Sequence, residues 1–388
     1  MLFVAISKTE LEENTQFVEN YVFHDSYYYT GELRDSKLHG VGKISLIHED
    51  PNDSESTSNL FHCSFADLYN LHSPSGYLLN GKIHKPVSCS SYEGEFFENE
   101  IHGNGVMQWT DGTLKTGQWS HNKLNGVATI YLSDGDIYHG NVLNDLYEGH
   151  GKYSFKDGSV YEGEWHQNKR HGHGKLTTCS GDIIEGDWLN DELNGFSTYY
   201  AQDGTIYIGH FYKNWRHGYG ECQFDTGDVY RGEWSRDRME GKGCYLSQDG
   251  DCICGTWAKN MLNGECTIQY HTSESYVGTL VNDVFSGYGC YYYNNGAQYK
   301  GHWKGGKYDG EGEFLYSNGD CYRGLFHNGM KNGEGEMVYK NGDVFVGIFK
   351  NNMKNGKGTL QHKDGTIQVG KWKNDVFIET KSRKRKRF

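Results

Sequence analysis

Proline is nearly absent from this sequence. Only 3 of the 388 residues are proline, and Pro51, Pro74 and Pro86 all lie in one stretch before residue 92. Because proline cannot donate a backbone N–H to a β-ladder, its absence elsewhere leaves the rest of the chain free to form sheet. The scarcity also excludes collagen-like and proline-rich disordered chains.

Long hydrophobic runs are missing as well. No apolar stretch reaches the ~18 residues that a membrane-spanning helix needs, and the start MLFVAISKTELEEN lacks the basic region of a signal peptide. The ten cysteines are scattered without a CxxC pair, and Cys252 and Cys254 are the closest two. This usage favours reduced thiols over a disulfide framework. We therefore expect a soluble intracellular protein.

Aromatic residues and glycine are abundant instead. Hydrophobic residues make up 36% of the chain, aromatic residues alone make up 15%, and there are 53 glycines. Apolar burial must therefore rely on rings more than on aliphatic side chains, which is typical of glycine-punctuated β-structure.

The charge is divided unevenly along the chain. The net charge is −13, but the C-terminal end holds a basic cluster: Lys381, Arg383, Lys384, Arg385, Lys386 and Arg387. The preceding residues hold 32 basic and 51 acidic groups, an acidic body that repels nucleic acid and anionic lipid and favours basic partners. Three interpretations of the cluster remain open: a contact to an anionic surface such as phospholipid or a microtubule, a nuclear import signal, or a solvated terminus.

A 23-residue repeat organises most of the chain. Glycines recur at every 23rd residue from Gly94 to Gly370, and a second series follows nine residues later, from Gly103 to Gly356. One unit is Tyr161–Ile183, YEGEWHQNKRHGHGKLTTCSGDI, whose residues we number as positions 1 to 23. The alternation of residue types in YEGEW predicts a strand, and the polar HQNKRH segment predicts a turn. The Asp-Gly or Asn-Gly pairs between units predict a tight connection with positive φ angles. Each unit is thus a predicted β-hairpin, in which both glycine series leave room for rings of neighbouring strands.

Residues that could carry chemistry recur with the same period. His102, His171 and His217 share one repeat position, which we interpret as a turn residue. The glutamates of the Tyr-Glu-Gly-Glu segments predict a solvated sheet face rather than a catalytic pair: Glu93, Glu95, Glu162 and Glu164. The aromatic residues at position 5 predict the core: Phe96, Trp119, Trp165, Trp188, Phe211, Trp234, Trp257, Trp303, Phe326, Phe349 and Trp372. With no Walker loop, HExxH, GxSxG triad or kinase motif, we expect no enzymatic activity, metal or cofactor.

These units resemble the MORN (membrane occupation and recognition nexus) repeat, YEGEWxNGKxHGxG. The resemblance covers residues 92–377 as twelve full units and a half unit, with an isolated earlier copy at Tyr29–Lys43. It implies an all-β fold, an elongated, twisted antiparallel meander of tandem hairpins that forms a solenoid-like rod or open groove. The predicted segments are an N-terminal segment (1–28), an isolated first repeat (29–45), an irregular insertion (46–91), a continuous array (92–378) and a basic tail (379–388).

The resemblance to MORN-only proteins implies a non-enzymatic scaffold or adaptor in a cytoskeletal assembly of the cytoplasm. Its sharper form is a ciliary axoneme and a radial-spoke-head-like assembly. The expected partners are other structural proteins, axonemal or microtubule-associated, and a second copy of the chain, with no nucleic acid. The alternatives are a membrane tether that binds phospholipid, which the acidic body disfavours, and a regulatory adaptor. The candidate partner-binding residues are bulky ones that break the repeat pattern: Trp109, Trp215, Tyr291, Tyr292 and Tyr293.

Overall fold

The computed structural model describes residues 15–23, 27–46 and 89–378. Every regular element in these ranges is a β-strand, and the chain divides into two compact units, Met1–Gly195 and Phe196–Phe388. The predicted all-β fold of antiparallel hairpins is confirmed. Most of the predicted insertion and the basic tail lie outside the described residues, so the three interpretations of the tail stay open.

Each 23-residue repeat forms two strands. The first compact unit, Met1–Gly195, contains β1 (Thr15–Phe23), β2 (Tyr27–Arg34), β3 (Lys37–Leu46), β4 (Cys89–Phe97), β5 (Glu100–Trp109), β6 (Leu114–Ser120), β7 (Lys123–Tyr131), β8 (Ile137–Leu143), β9 (Leu146–Ser154), β10 (Val160–His166), β11 (Lys169–Thr177) and β12 (Ile183–Leu189). Strand β13 (Glu192–Tyr200) has residues in both units.

The second unit continues the pattern with β14 (Ile206–Tyr212), β15 (Trp215–Gln223), β16 (Val229–Ser235), β17 (Arg238–Leu246), β18 (Cys252–Ala258), β19 (Met261–Gln269), β20 (Ser275–Val281), β21 (Val284–Tyr292), β22 (Gln298–Lys304), β23 (Lys307–Leu315), β24 (Cys321–His327), β25 (Met330–Val338), β26 (Val344–Lys350), β27 (Met353–Gln361), β28 (Ile367–Lys373) and β29 (Val376–Ile378). Within each unit, successive strands pair antiparallel, as β10 does with β11 and β16 with β17. Strand β1, which pairs with β2, is not predicted by the repeat pattern.

Each repeat closes in a two-residue turn at positions 7 and 8. In the hairpin of β10 and β11 these are Gln167 and Asn168, whose φ angles of 49° and 66° are those of a type I′ turn. The Asn168 side-chain oxygen also accepts a hydrogen bond from the backbone N–H of Tyr147 in the preceding hairpin, at 2.7 Å. The side chain at position 8 therefore shapes its own turn and ties that turn to the neighbouring repeat.

Glycines at positions 3 and 14 face each other across the hairpin and make room for the tyrosine at position 1. In the hairpin of β16 and β17, Gly232 pairs with Gly243, and the buried ring of Tyr230 lies over both. The Tyr230 hydroxyl donates a hydrogen bond to the Glu233 carbonyl at 3.1 Å. A Cβ on Gly232 would lie 2.5 Å from the Cα of Gly243, so this close approach admits only glycine.

The second glycine series, at position 12, has a different role from the predicted one. Gly232 pairs with Gly243 and Glu233 pairs with Glu240, so Gly241 and Lys242 have no paired residue on β16. Gly241 has a φ of 61°. A Cβ there would meet the Glu233 side chain rather than a ring. The expectation that this series makes room for rings is wrong, because the glycine is needed for a left-handed backbone at a β-bulge.

The two faces of the sheet differ in composition. The ring face carries positions 1, 3, 5, 10, 14 and 16, and its aromatic residues at position 5 are buried, as predicted. Trp165 shows the packing: its ring lies 5.2 Å and 5.6 Å from the rings of Tyr161 and Tyr138, edge to face, and its Nε1 donates to the Gly151 carbonyl at 3.1 Å. The open face carries positions 2, 4, 6, 9, 11, 13 and 15.

Candidate partner-binding surface

The five predicted binding residues fall on different faces of the sheet. Trp215 and Tyr292 lie on the open face and are 52% and 43% exposed. Trp109, at the end of β5, is half-buried, with the Lys115 ammonium 4.8 Å from its ring centroid. Trp215 and Tyr292 are therefore the two of the five whose side chains are most available to a partner.

Tyr291 and Tyr293 take part in ring-face packing instead. Their ring centroids lie 4.6 Å apart, the Tyr291 hydroxyl donates to Glu274 at 2.8 Å, and the Tyr293 hydroxyl hydrogen-bonds to that of Tyr308. Burial and the Glu274 carboxylate both raise the pKa of Tyr291, so its phenol is neutral at physiological pH. The structure thus brings these two tyrosines together inside the aromatic layer, whereas Tyr292 between them points to the other face.

The predicted solvated face is the open face. Glu93, Glu95, Glu162 and Glu164 are all exposed there. Charged residues also pair across neighbouring strands, as Glu221 Oε2 does with Arg231 Nε at 2.8 Å, and this hydrogen bond lowers the pKa of Glu221. Such exposed pairs contribute only about 0–1 kcal/mol each, so they adjust the surface more than they hold the fold.

The three histidines at position 11 lie in strands rather than in turns. His102, His171 and His217 belong to β5, β11 and β15 and occupy the open face. Their predicted place in a turn is wrong because the turn itself is confined to positions 7 and 8. In the part of the chain that the structure describes, no group of three or more His, Cys, Asp or Glu residues could hold a metal ion.

Two cysteines depart from the predicted reduced state. Cys244 on β17 lies directly opposite Cys254 on β18 and forms a disulfide bond with it. The Cys252 sulfur, on the same strand as Cys254, lies 3.9 Å from the Cys254 sulfur. Sequence spacing alone hides the pairing because it depends on the register of two strands in adjacent repeats.

The open face carries exposed aromatic side chains at some of its repeat positions. Phe196, Tyr219 and Tyr288 all stand at position 13, and each is more than half exposed. Other repeats place Lys242, Glu311 or similar polar residues at this position, so the fold does not demand an aromatic residue there. A comparison of open-face positions between repeats would have found these residues from the sequence.

A sequence model of the MORN repeat matches thirteen stretches of the chain. They are residues 29–45, 92–114, 116–137, 138–160, 161–183, 185–206, 207–229, 230–252, 254–273, 276–298, 299–321, 322–344 and 345–367. No curated protein sequence matches the chain significantly. Among the residues that the structure describes, no helix has the length and apolar character that a membrane span requires.

Solved structures provide weak likenesses. One is the SAS-4 (dCPAP) TCP domain of Drosophila melanogaster in complex with a proline-rich motif of Ana2 (dSTIL), at 12% identity and a TM-score of 0.27, over 46% of this chain and 90% of that chain. Another is the wild-type TCP10 domain of Danio rerio CPAP, at 14% identity and a TM-score of 0.23, over 57% of this chain and 93% of that chain. At such TM-scores neither likeness supports a functional argument.

Proposed function

Because the chain belongs to the MORN repeat family, whose matched repeats span more than half of its length, we propose that it is a non-enzymatic scaffold that binds protein partners along its open face. In this proposal the assembly is cytoskeletal and the chain lies in the cytoplasm. Its sharper form is a ciliary axoneme with a radial-spoke-head-like structure, in which the partners are axonemal or microtubule-associated proteins.

The observation that carries the proposal is the contrast between the two faces. Ring-face positions 1, 3, 5 and 14 repeat with few exceptions because the packing of rings over glycines demands it. Open-face positions vary freely on the same backbone. At position 13, for example, the side chain is aromatic in Tyr219, cationic in Lys242 and acidic in Glu265. A constant frame that displays variable side chains is how repeat proteins build extended binding surfaces.

The exposed rings supply anchor residues for such a surface. Aromatic side chains bury about 150–250 Å² each and dominate interface energetics, and tyrosine and tryptophan are enriched among the residues that contribute most to binding. Phe196, Tyr219 and Tyr288 are each solvent-exposed and rigidly held by strand backbone. They therefore offer a partner large contact area at a low cost in conformational entropy.

Affinity purification of the tagged chain from its own cells, before and after detergent extraction, tests the proposal. The variant Phe196→Ser, Tyr219→Ser, Tyr288→Ser removes the exposed rings at position 13, and Lys242→Ser, Glu311→Ser, Glu334→Ser is its control at the same position. We expect wild type and control to recover cytoskeletal proteins from the detergent-insoluble fraction and the ring variant to lose them. Release of the wild type together with membrane proteins would contradict the proposal.

A further inference from the structure

Three consecutive repeats differ from the others at the first residue of the hairpin turn. Position 7 is Lys213, Arg236 and Lys259 in these repeats. In the other described hairpins it is neutral, acidic or histidine: Asp35, Glu98, His121, Asn144, Gln167, Asn190, Asn282, Gly305, Asn328, Asn351 and Asn374. A positive side chain at the turn is therefore confined to one block of three neighbours.

The local backbone does not explain these three cations. Their φ angles are 51°, 49° and 53°, in the left-handed region that asparagine and glycine adopt most readily. Six of the other turns use asparagine here, whose side chain can hydrogen-bond locally and ease that conformation. Lysine and arginine run against the turn chemistry, and such departures from a local rule are expected at functional or strained sites.

The three turns border a groove of about 950 Å³ on the open face. We call it the turn patch and define it by its main lining residues: Tyr212, Lys213, Trp215, Arg236, Arg238 and Lys259. Tyr212 and Trp215 pair directly across the end of their hairpin and are 51% and 52% exposed. The Lys213 ammonium lies 5.6 Å from the Tyr212 ring centroid, so cationic and aromatic groups are interleaved.

The positive charge of the turn patch is unpaired within the described residues. Four of its side chains have no carboxylate within ion-pair distance there: Lys213, Arg236, Arg238 and Lys259. Glu240, which also lines the groove, accepts a hydrogen bond from the backbone N–H of Lys259 at 3.1 Å. Asp237 is engaged in the same way, at 2.8 Å, by the backbone N–H of Arg216. These carboxylates serve the turns and leave the cations available.

We propose that the turn patch binds an extended acidic segment of a partner protein. Adjacent turns are separated by two strands, or about 10 Å. An extended chain in the polyproline II conformation advances about 3.1 Å per residue with three residues per turn, so every third side chain points to the same side. A segment with a carboxylate at about every third residue therefore matches the turns at Lys213, Arg236 and Lys259. An apolar side chain at one end of the segment would lie on the exposed pair Tyr212 and Trp215.

A single segment suits this site better than an anionic membrane does. The chain has a net charge of −13, and a flat anionic surface would meet the acidic groups of the open face together with the patch. A narrow peptide meets only the three turns. The site rests on the proposed scaffold function in one respect, namely that the segment belongs to a partner protein.

Fluorescence anisotropy with the full-length chain tests the site. The probe is a labelled twelve-residue peptide with glutamate at every third position, glycine and serine between, and one terminal leucine; its control has glutamine for glutamate. We expect only the glutamate peptide to bind. Its affinity should fall as ionic strength rises from about 0.05 M to about 0.3 M, because added salt shortens the Debye length and screens the attraction between the charges. Equal binding of the two peptides would overturn the proposal.

The decisive variant is Lys213→Asn, Arg236→Asn, Lys259→Asn. Asparagine is the commonest residue at this position, so the variant should fold at least as stably as the wild type while binding the probe roughly tenfold more weakly. The control Lys340→Asn, Lys357→Asn, Lys363→Asn makes the same charge change at exposed lysines outside the patch and should keep wild-type affinity. An equal loss of affinity in both variants would show that binding depends on net charge alone and would overturn the proposal.

Two further outcomes separate this site from other accounts. Vesicles of phosphatidylcholine with roughly a third phosphatidylserine should not bind through the patch. If such vesicles bind the wild type and the variant Lys213→Asn, Arg236→Asn, Lys259→Asn abolishes this binding, the site would be assigned to lipid instead. If the probe fails to bind while affinity purification still recovers cytoskeletal partners, the acidic-segment site is refuted and the scaffold stands. If the probe binds and purification recovers none, the site stands and the scaffold is refuted.

Discussion

The substitution Gly243→Ala measures how strongly the ring and the glycines depend on each other. All three atoms nearest to a Cβ at Gly243 belong to the buried ring of Tyr230. The ring must therefore move, which disturbs its hydrogen bond to the Glu233 carbonyl and its edge-to-face contacts with Trp234 and Trp257 at 5.1 Å and 5.5 Å. Overpacking of a core costs about 1–3 kcal/mol, and each disturbed contact adds up to about 1 kcal/mol.

The chain itself contains the matched exception. Where position 1 lacks an aromatic residue, position 14 is not glycine, and this holds in three repeats: Lys115 with Ala128, Ile184 with Ser197, and Ile253 with Cys266. We therefore expect Gly243→Ala to destabilise the repeat by on the order of 3 kcal/mol in the wild type and by less than about 1 kcal/mol in a Tyr230→Ile background. The coupling of the two changes isolates the contact between ring and Cβ.

Amide hydrogen exchange of β16 and β17 in the full-length chain is the appropriate assay, since repeat arrays open locally. The double-mutant cycle should give a coupling free energy of about 2 kcal/mol between the two sites. If Gly243→Ala costs the same in both backgrounds, the ring does not dictate glycine at position 14 and the packing argument fails.

Further predictions concern the links between neighbouring repeats. Asp237→Ala should cost about 1–2 kcal/mol in urea unfolding, because the carboxylate accepts a backbone N–H of the preceding hairpin, whereas Asp237→Asn, which keeps an acceptor, should cost less. Hydrogen bonds from backbone N–H groups lower the pKa values of Asp251 and Asp343. The stabilisation that these carboxylates provide is present above the unfolded pKa of about 3.9 and is lost as pH falls through the lower folded values. Unfolding followed by circular dichroism should therefore show constant stability above about pH 5 and decreasing stability below about pH 4. Alkylation without reductant should leave Cys244 and Cys254 unmodified, and their labelling would refute the disulfide.

Much of the fold is readable from the period of the sequence. A 23-residue spacing with alternation in YEGEW leaves little choice but a tandem hairpin, and the shared exceptions at positions 1 and 14 already imply that ring and glycine touch. The role of position 12 was not readable, because a β-bulge is a property of the paired strands. Strand β1 was missed for a related reason: its residues carry no repeat motif and pair with β2 only through tertiary structure.

The candidate site was partly readable. Strand alternation predicts that Tyr292 faces away from Tyr291 and Tyr293, a distinction that the run of three tyrosines conceals until the phase of the hairpin is known. Trp215 was found because it is bulky and breaks the pattern. Its cationic neighbours at position 7 were visible as a departure from asparagine, but only the structure shows that their side chains share one groove.

Cross-linking mass spectrometry of the assembly purified from its own cells tests the scaffold most directly. Open-face lysines such as Lys175, Lys242 and Lys300 are exposed, whereas Lys331 and Lys354 lie against rings on the ring face. We expect cross-links from the open-face lysines to cytoskeletal proteins, and these cross-links should survive detergent extraction. Partner cross-links that fall mainly on Lys331 and Lys354, or that join the chain only to membrane proteins, would contradict it.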